Sequence, residues 1–225
     1  MNEEFVLRPL AQVEQCNPFD LIFSLETLKK FQKRNTNDVL FVTENHKIKG
    51  VVHIVDYNRE FVFMELYRLI FNFETMLREF LFSTGVNNST IIEFYRQKSE
   101  GEPENSFWKS KHADYTRNKG RKKLQEAMGP LQIFYLSDLL NYYLYKGMIS
   151  EVNKQSIIRI RNKIAHSKDI ISRRRNEEAE KLYNFKGLEQ FVNDALIFFT
   201  CYEFLEESTQ NLKSTDSIRL HRKQL

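Results

Sequence analysis

"EFVFMELYRLIFNFETMLREFLFSTG" (residues 60–85) decides the fold class of this chain. Phe63, Leu66, Leu69, Ile70, Phe73, Leu77 and Phe80 recur at three- and four-residue spacing, the period of one face of an α-helix. Gly85 supplies the stop, because a residue without Cβ takes the left-handed conformation that closes a helix. A run of this length and period makes a long amphipathic helix, and such a helix must bury its stripe against other helices or a sheet.

Downstream the helical period continues. A shorter helix is predicted over 88–99, and others over 130–146, stopped by Gly147, and over 150–167. A last long one spans 187–212, with Phe191, Ala195, Phe198, Phe199, Tyr202 and Leu205 as its inward stripe. "GEPENSFWKSKHADYTRNKGRKK" (101–123) is polar and aperiodic and reads as a surface loop, and the tail from Ser214 is expected to fray. Upstream the pattern is mixed. "NPFDLIFSLETLKKFQKRN" (17–35) offers Asn17 as a cap and Pro18 in the first turn, then Leu21, Leu25, Leu28 and Phe31 on one helical face. "DVLFVT" and "KIKGVVHIV", joined by "ENHK", are rich in β-branched residues and predict a hairpin. The expected organisation is a small α/β unit over 1–58, a bundle of four or five helices over 59–213, and a tail over 214–225.

Composition agrees with that mainly α reading. Only 7 Gly and 4 Pro occur in 225 residues, too few for the turns of an all-β chain. The net charge of +4 is compatible with a polyanionic partner without demanding one. Cys16 and Cys201 have no metal-ligand spacing, which suits a reducing, cytoplasmic setting. The N-terminus lacks the pattern of a signal peptide, and the longest apolar stretch, near 195–202, falls far short of the ~20 residues that span a bilayer. No membrane partner, metal or cofactor is expected, since no P-loop, G-x-S-x-G or zinc motif is present.

"RIRNKIAHS" (159–167) carries the chemistry-bearing residues. On a wheel of about 100° per residue, Ile157, Ile160 and Ile164 form the core stripe, while Arg159, Asn162, Lys163 and His166 lie opposite. Arg161 sits at the margin of the stripe, about 140° from His166. One straight helix does not bring those two side chains together, but a two-fold axis beside it would let each meet its symmetry mate.

"RNKIAH" resembles the R-[polar]-x-x-x-H signature of the HEPN-domain ribonucleases, an all-α and usually dimeric family with the motif in a late helix. The resemblance implies a HEPN-like bundle over 59–213 and a metal-independent endoribonuclease acting at a composite dimer site, with Arg161, Asn162 and His166 in the catalytic positions. The residue types suit that chemistry. Attack by the adjacent 2′-hydroxyl needs a group that exchanges protons near neutral pH, as histidine does. A permanently charged guanidinium stabilises the phosphorane, and Asn162 orients His166 or holds a phosphate oxygen. The implied products are a 2′,3′-cyclic phosphate (or a 3′-phosphate) and a 5′-hydroxyl. The substrate would be tRNA, mRNA or rRNA, the role that of a toxin or antiviral defence effector, and the partners a second copy and an antitoxin. Arg159, Lys163 and the run Arg173, Arg174 and Arg175 are the candidate RNA-binding residues, with the basic cluster 117–123 as a second guide for phosphates. The competing reading is a non-catalytic HEPN-like dimer that binds a nucleotide or a partner protein.

"VLFVTENHKIKGVVHIVDYNR" (39–59) resembles the strand-turn-strand of a CBS unit, whose hairpin ends in G-h-h-[ST]-x-x-D. Here it reads Gly50-Val51-Val52-His53-Ile54-Val55-Asp56. The resemblance implies that Asp56 contacts the ribose of an adenine nucleotide. His53 stands where the family has the Ser or Thr that contacts a phosphate. CBS units work in pairs, and this chain has room for one, so the same resemblance asks for a homodimer. The alternative is that the unit only dimerises.

Overall fold

In the computed structural model, the chain is mainly α-helical with one small sheet, and residues 9–18, 22–32, 39–117, 123, 127–166 and 185–222 are described. The strands are β1 (Gln15–Cys16), β2 (Val39–Glu44) and β3 (Lys47–His53). The helices are α1 (Leu25–Gln32), α2 (Glu60–Ser83), α3 (Asn88–Gly101), α4 (Ser106–Thr116), α5 (Leu136–Tyr145), α6 (Glu151–Ala165) and α7 (Phe185–Arg222). No helix among the described residues is long and apolar enough to cross a membrane. By contacts the chain forms two compact units, one of Met1–Tyr67 with Arg159–Phe199, the other of Arg68–Ile158 with Thr200–Leu225. The N-terminal segment therefore shares a unit with the RNKIAH stretch.

In the first unit the sheet order is β1-β2-β3, with β1 parallel and β3 antiparallel to β2. The predicted hairpin forms because Asn45 and His46 both take positive φ (49° and 60°), the two-residue turn whose twist matches that of the strands. Helix α1 is shorter than the sequence pattern suggests. Its cap is Ser24, whose Oγ accepts the Thr27 amide hydrogen at 3.1 Å, rather than Asn17. Tyr57 anchors the core: it is fully buried, donates to the Ile22 carbonyl at 2.8 Å, and has the rings of Phe31 and Phe191 at 5.7 and 5.3 Å.

In the second unit α2 ends where expected, with Gly85 at φ 87°. The amide of Val86 bonds the Leu81 carbonyl and that of Gly85 the Phe82 carbonyl, so the last carbonyls are satisfied by a Schellman closure. Gly147, at φ 69°, closes α5 in the same way. Helix α5 starts only at Leu136, because the preceding residues form a turn clamped from two sides. Leu131, buried at φ 62°, receives Arg78 Nε on its carbonyl at 3.2 Å and gives its amide hydrogen to Asn88 Oδ1 at 2.8 Å. Arg78 also donates to the Phe134 carbonyl at 2.8 Å and is charge-paired with Glu74.

One expectation is corrected here. The polar stretch 101–123 is not wholly loop, since α4 runs through Ser106–Thr116, capped by Asn105 Oδ1 on the Phe107 amide at 3.2 Å. It lacks an apolar stripe because aromatic contacts hold it instead, Trp108 on Phe94 at 6.0 Å and Tyr115 on Phe134 at 4.7 Å. At the other end, α7 spans Phe185–Arg222.

Helix α2 also carries a second apolar face. Leu66, Ile70, Phe73, Leu77 and Leu81 are buried, yet Met64, Tyr67, Phe71 and Phe82 are each more than half exposed. Those four fall within about 60° of one another on the wheel.

Candidate functional site

The stretch 159–166 occupies the last turns of α6 and the residue just beyond it. Ser150 starts this helix, its Oγ accepting the Asn153 amide hydrogen at 3.1 Å. Ile157, Ile160 and Ile164 are buried, as the wheel requires. Arg161, Asn162 and His166 are exposed. Arg161 Nη1 donates to Asn162 Oδ1 at 3.2 Å, and the His166 amide donates to the Asn162 carbonyl at 3.2 Å, closing the final turn. The fold therefore joins Arg161 to Asn162 by their side chains and His166 to Asn162 through the backbone. No hydrogen bond or ion pair joins the side chains of Arg161 and His166 among the described residues.

The two neighbouring cations are placed differently. Arg159 stays exposed, with 43% of its side chain open to solvent, but its guanidinium reaches Asp194 on α7, and Lys163 is half-buried beside the same helix. Arg159 is clamped in bidentate fashion by Asp194, Nε to Oδ2 at 2.9 Å and Nη2 to Oδ1 at 2.6 Å. Asp194 is 2% exposed and also accepts Gln190 Nε2 at 3.0 Å. A buried carboxylate needs such partners, because desolvating it alone costs several kcal/mol. The hydrogen bonds that Arg159 donates to Asp194 raise its affinity for its proton. Lys163 is half-buried with Nζ 5.9 Å from the centre of the Phe191 ring, and desolvation lowers its pKa despite the nearby Asp194 charge. The helix thus splits its polar residues by partner. Arg159 and Lys163 are tied to α7, and Arg161, Asn162 and His166 are exposed, with no side-chain hydrogen bond or ion pair to α7 among the described residues.

Asp194 escapes a reading by periodicity alone, yet its signal is present. It sits between Phe191, Ala195 and Phe198, an acid inside an apolar stripe, and such a residue must have a cationic or donor partner.

The second candidate site ends the hairpin. Asp56 lies in a short 3-10 turn after β3, where its Oδ2 accepts the His53 amide hydrogen at 2.9 Å and its Oδ1 pairs with Arg59 Nε at 2.7 Å. Both carboxylate oxygens are therefore engaged by local partners, so a ribose hydroxyl would have to share or displace one of them. His53 is partly buried at the end of β3.

Arg173, Arg174 and Arg175 lie outside the described residues, as do Lys119, Arg121 and Lys122 of the other basic cluster. Glu74 is paired with Arg78. Tyr142 and Tyr143 are buried in the second unit, where burial pushes Tyr143 up to about 12. No group of three or more His, Cys, Asp or Glu side chains among the described residues is placed to hold a metal ion. In comparisons with protein-family models, curated proteins and solved structures, nothing matches this chain.

Proposed function

We propose that this chain is a metal-independent endoribonuclease of the HEPN type, cleaving RNA at a composite site of a homodimer as a toxin or antiviral effector. One observation carries the reading. Of the five polar side chains on the last turns of α6 and just beyond, the three of the signature, Arg161, Asn162 and His166, are exposed and have no carboxylate partner among the described residues. The two outside it, Arg159 and Lys163, are engaged by α7. A structural arginine on a surface helix normally finds an acid, as Arg159 does. Arg161 instead donates to an amide oxygen, and no carboxylate among the described residues neutralises its charge, which suits it to a phosphate.

In this reading His166 takes the proton of the attacking 2′-hydroxyl as that oxygen bonds to phosphorus. The 5′-oxygen leaves with a proton supplied by the same residue of the second copy. Arg161 neutralises the charge that gathers on the non-bridging oxygens, and Asn162 holds the guanidinium toward them. Two features support a second copy. Among the described residues, Met64, Tyr67, Phe71 and Phe82 on α2 are each more than half exposed, as are Ile48 and Val51 on the edge strand β3.

End-group analysis of RNA exposed to the purified protein tests the chemistry. The reading expects 5′-hydroxyl and 2′,3′-cyclic phosphate ends, and products with 5′-phosphate ends would contradict it. Growth arrest on expression, relieved by His166→Ala, is the corresponding test in cells.

A further inference from the structure

Away from α6, one surface stands out, and it lies wholly within the second unit on α3, α4 and α5. Three aromatic rings are about half exposed there: Tyr135 at 57%, Tyr145 at 48% and Phe107 at 45%. A single exposed ring needs no explanation, but these are linked into one face. Phe107 meets Trp108 with centroids 4.8 Å apart, Trp108 meets Phe94 at 6.0 Å, and Phe94 meets Tyr145 at 4.9 Å. Lysines interleave with the rings. Lys111 Nζ stands 5.8 Å from the Phe107 centroid and 5.9 Å from that of Tyr135, Lys98 stands 5.7 Å from Trp108, and Lys146 stands 5.7 Å from Tyr145.

The charges on this face are not all balanced. Lys98 is paired with Glu102 at 3.0 Å and Lys111 with the buried Asp138 at 2.7 Å. Lys146 is exposed and makes no ion pair among the described residues. At the end of α4, Arg117 is exposed and opens the run Arg117, Lys119, Arg121, Lys122, Lys123. Flat, sequence-tolerant rings beside unneutralised cations fit a ligand with π-faces and phosphates in alternation.

We propose that this face binds a single-stranded segment of RNA, its bases stacking on Phe107, Tyr135 and Tyr145 and its phosphates running past Lys146 and Arg117. The assignment rests on the reading that RNA is the substrate, but the binding it describes does not depend on cleavage.

Trp108 is the one tryptophan of the chain, so its fluorescence reports on this face alone. The test titrates His166→Ala protein, in EDTA, with a fluorescein-labelled oligouridylate dodecamer, following anisotropy and, with unlabelled dodecamer, tryptophan emission. Emission is expected to change saturably in step with anisotropy. Phe107→Ala and Tyr145→Ala are each expected to weaken binding about fivefold or more, the low end for loss of one stacked base. Tyr145→Phe keeps the ring and is expected to bind within twofold of the parent, which separates stacking from misfolding. Lys146→Gln is expected to flatten the log-log salt slope by about 0.7, one phosphate contact on a single strand. Binding unchanged in both alanine variants, emission unmoved at saturating anisotropy, or no binding by the parent each overturns the proposal. If the wild-type chain cleaves RNA while the ring variants bind as their parent does, this face falls and the ribonuclease reading stands. If the rings bind the oligomer and no RNA is cut, the reverse holds.

Discussion

Replacing Asp138 by Asn tests how the second unit is held together. Its carboxylate is fully buried and takes four donors: Tyr95 Oη at 2.7 Å, Tyr115 Oη at 2.6 Å, Lys111 Nζ at 2.7 Å and the Tyr135 amide at 3.1 Å. Three helices, α3, α4 and α5, therefore meet on one side chain. The charge on Asp138 and its hydrogen bond help hold the Tyr95 hydroxyl far above its usual range, after desolvation, the largest cause. Each oxygen takes two of these donors, so in the asparagine variant the oxygen that becomes an amide nitrogen leaves two donors without their partner, and Lys111 loses its counter-charge. Breaking a buried pair by removing one partner costs ~3–5 kcal/mol. Lys111 keeps 20% of its side chain exposed and recovers part of that by turning to water, so about 3 kcal/mol is the expected loss. At ~2–4 °C per kcal/mol for a chain of this size, the melting temperature falls by roughly 6–12 °C. Urea unfolding followed by Trp108 emission is the assay, since Trp108 packs on Tyr95 with centroids 6.0 Å apart. Tyr115→Phe removes one bond and is expected to cost about 1 kcal/mol. An Asp138→Asn midpoint equal to wild type would refute the reasoning.

Three further outcomes are expected. Asp194→Ala leaves Arg159 without its clamp; urea denaturation is expected to show a loss of ~1–3 kcal/mol, and an unchanged midpoint would mean the clamp is idle. Asp56→Ala removes the bond to the His53 amide and is expected to lower stability by about 1 kcal/mol in the same assay, the usual value of a capping carboxylate; if it instead abolishes adenine-nucleotide binding measured by calorimetry with stability unchanged, Asp56 is a ligand residue. Phe71→Glu puts a charge on the exposed face of α2 and is expected to give a monomer by light scattering where wild type is a dimer. A wild-type monomer that cuts RNA would contradict the composite site.

The fold was legible where one period dominates. Helix α2 and the hairpin follow from their own residues, because a long apolar stripe and a run of β-branched residues around Asn45-His46 each admit one regular structure. Helix α4 was not, since its stability comes from ring contacts with α3 and the 131–135 turn, which sequence spacing does not display. The start of α5 was masked by the Leu131 clamp, a tertiary device built by Arg78 and Asn88. At the site, the wheel separated the isoleucines from the polar residues correctly. It placed Arg159 and Lys163 opposite the stripe, and Arg159 is indeed exposed, but periodicity cannot see the Asp194 clamp on another helix or the burial of half of Lys163. It put Arg161 at the margin of the core stripe, and the side chain is exposed there and donates to Asn162 Oδ1.

The central claim is that Arg161 and His166 cut RNA, and its most direct test is a paired incubation. Purified wild-type and His166→Ala proteins, each shown folded by circular dichroism, are incubated with total RNA and with tRNA in EDTA. Wild type is expected to fragment RNA with no metal added, His166→Ala and Arg161→Ala to leave it intact, and Asn162→Ala to cut slowly. Wild type mixed with an excess of His166→Ala chains is expected to lose activity beyond dilution, because each cut uses two histidines. RNA that survives wild type as well as it survives His166→Ala would contradict the account.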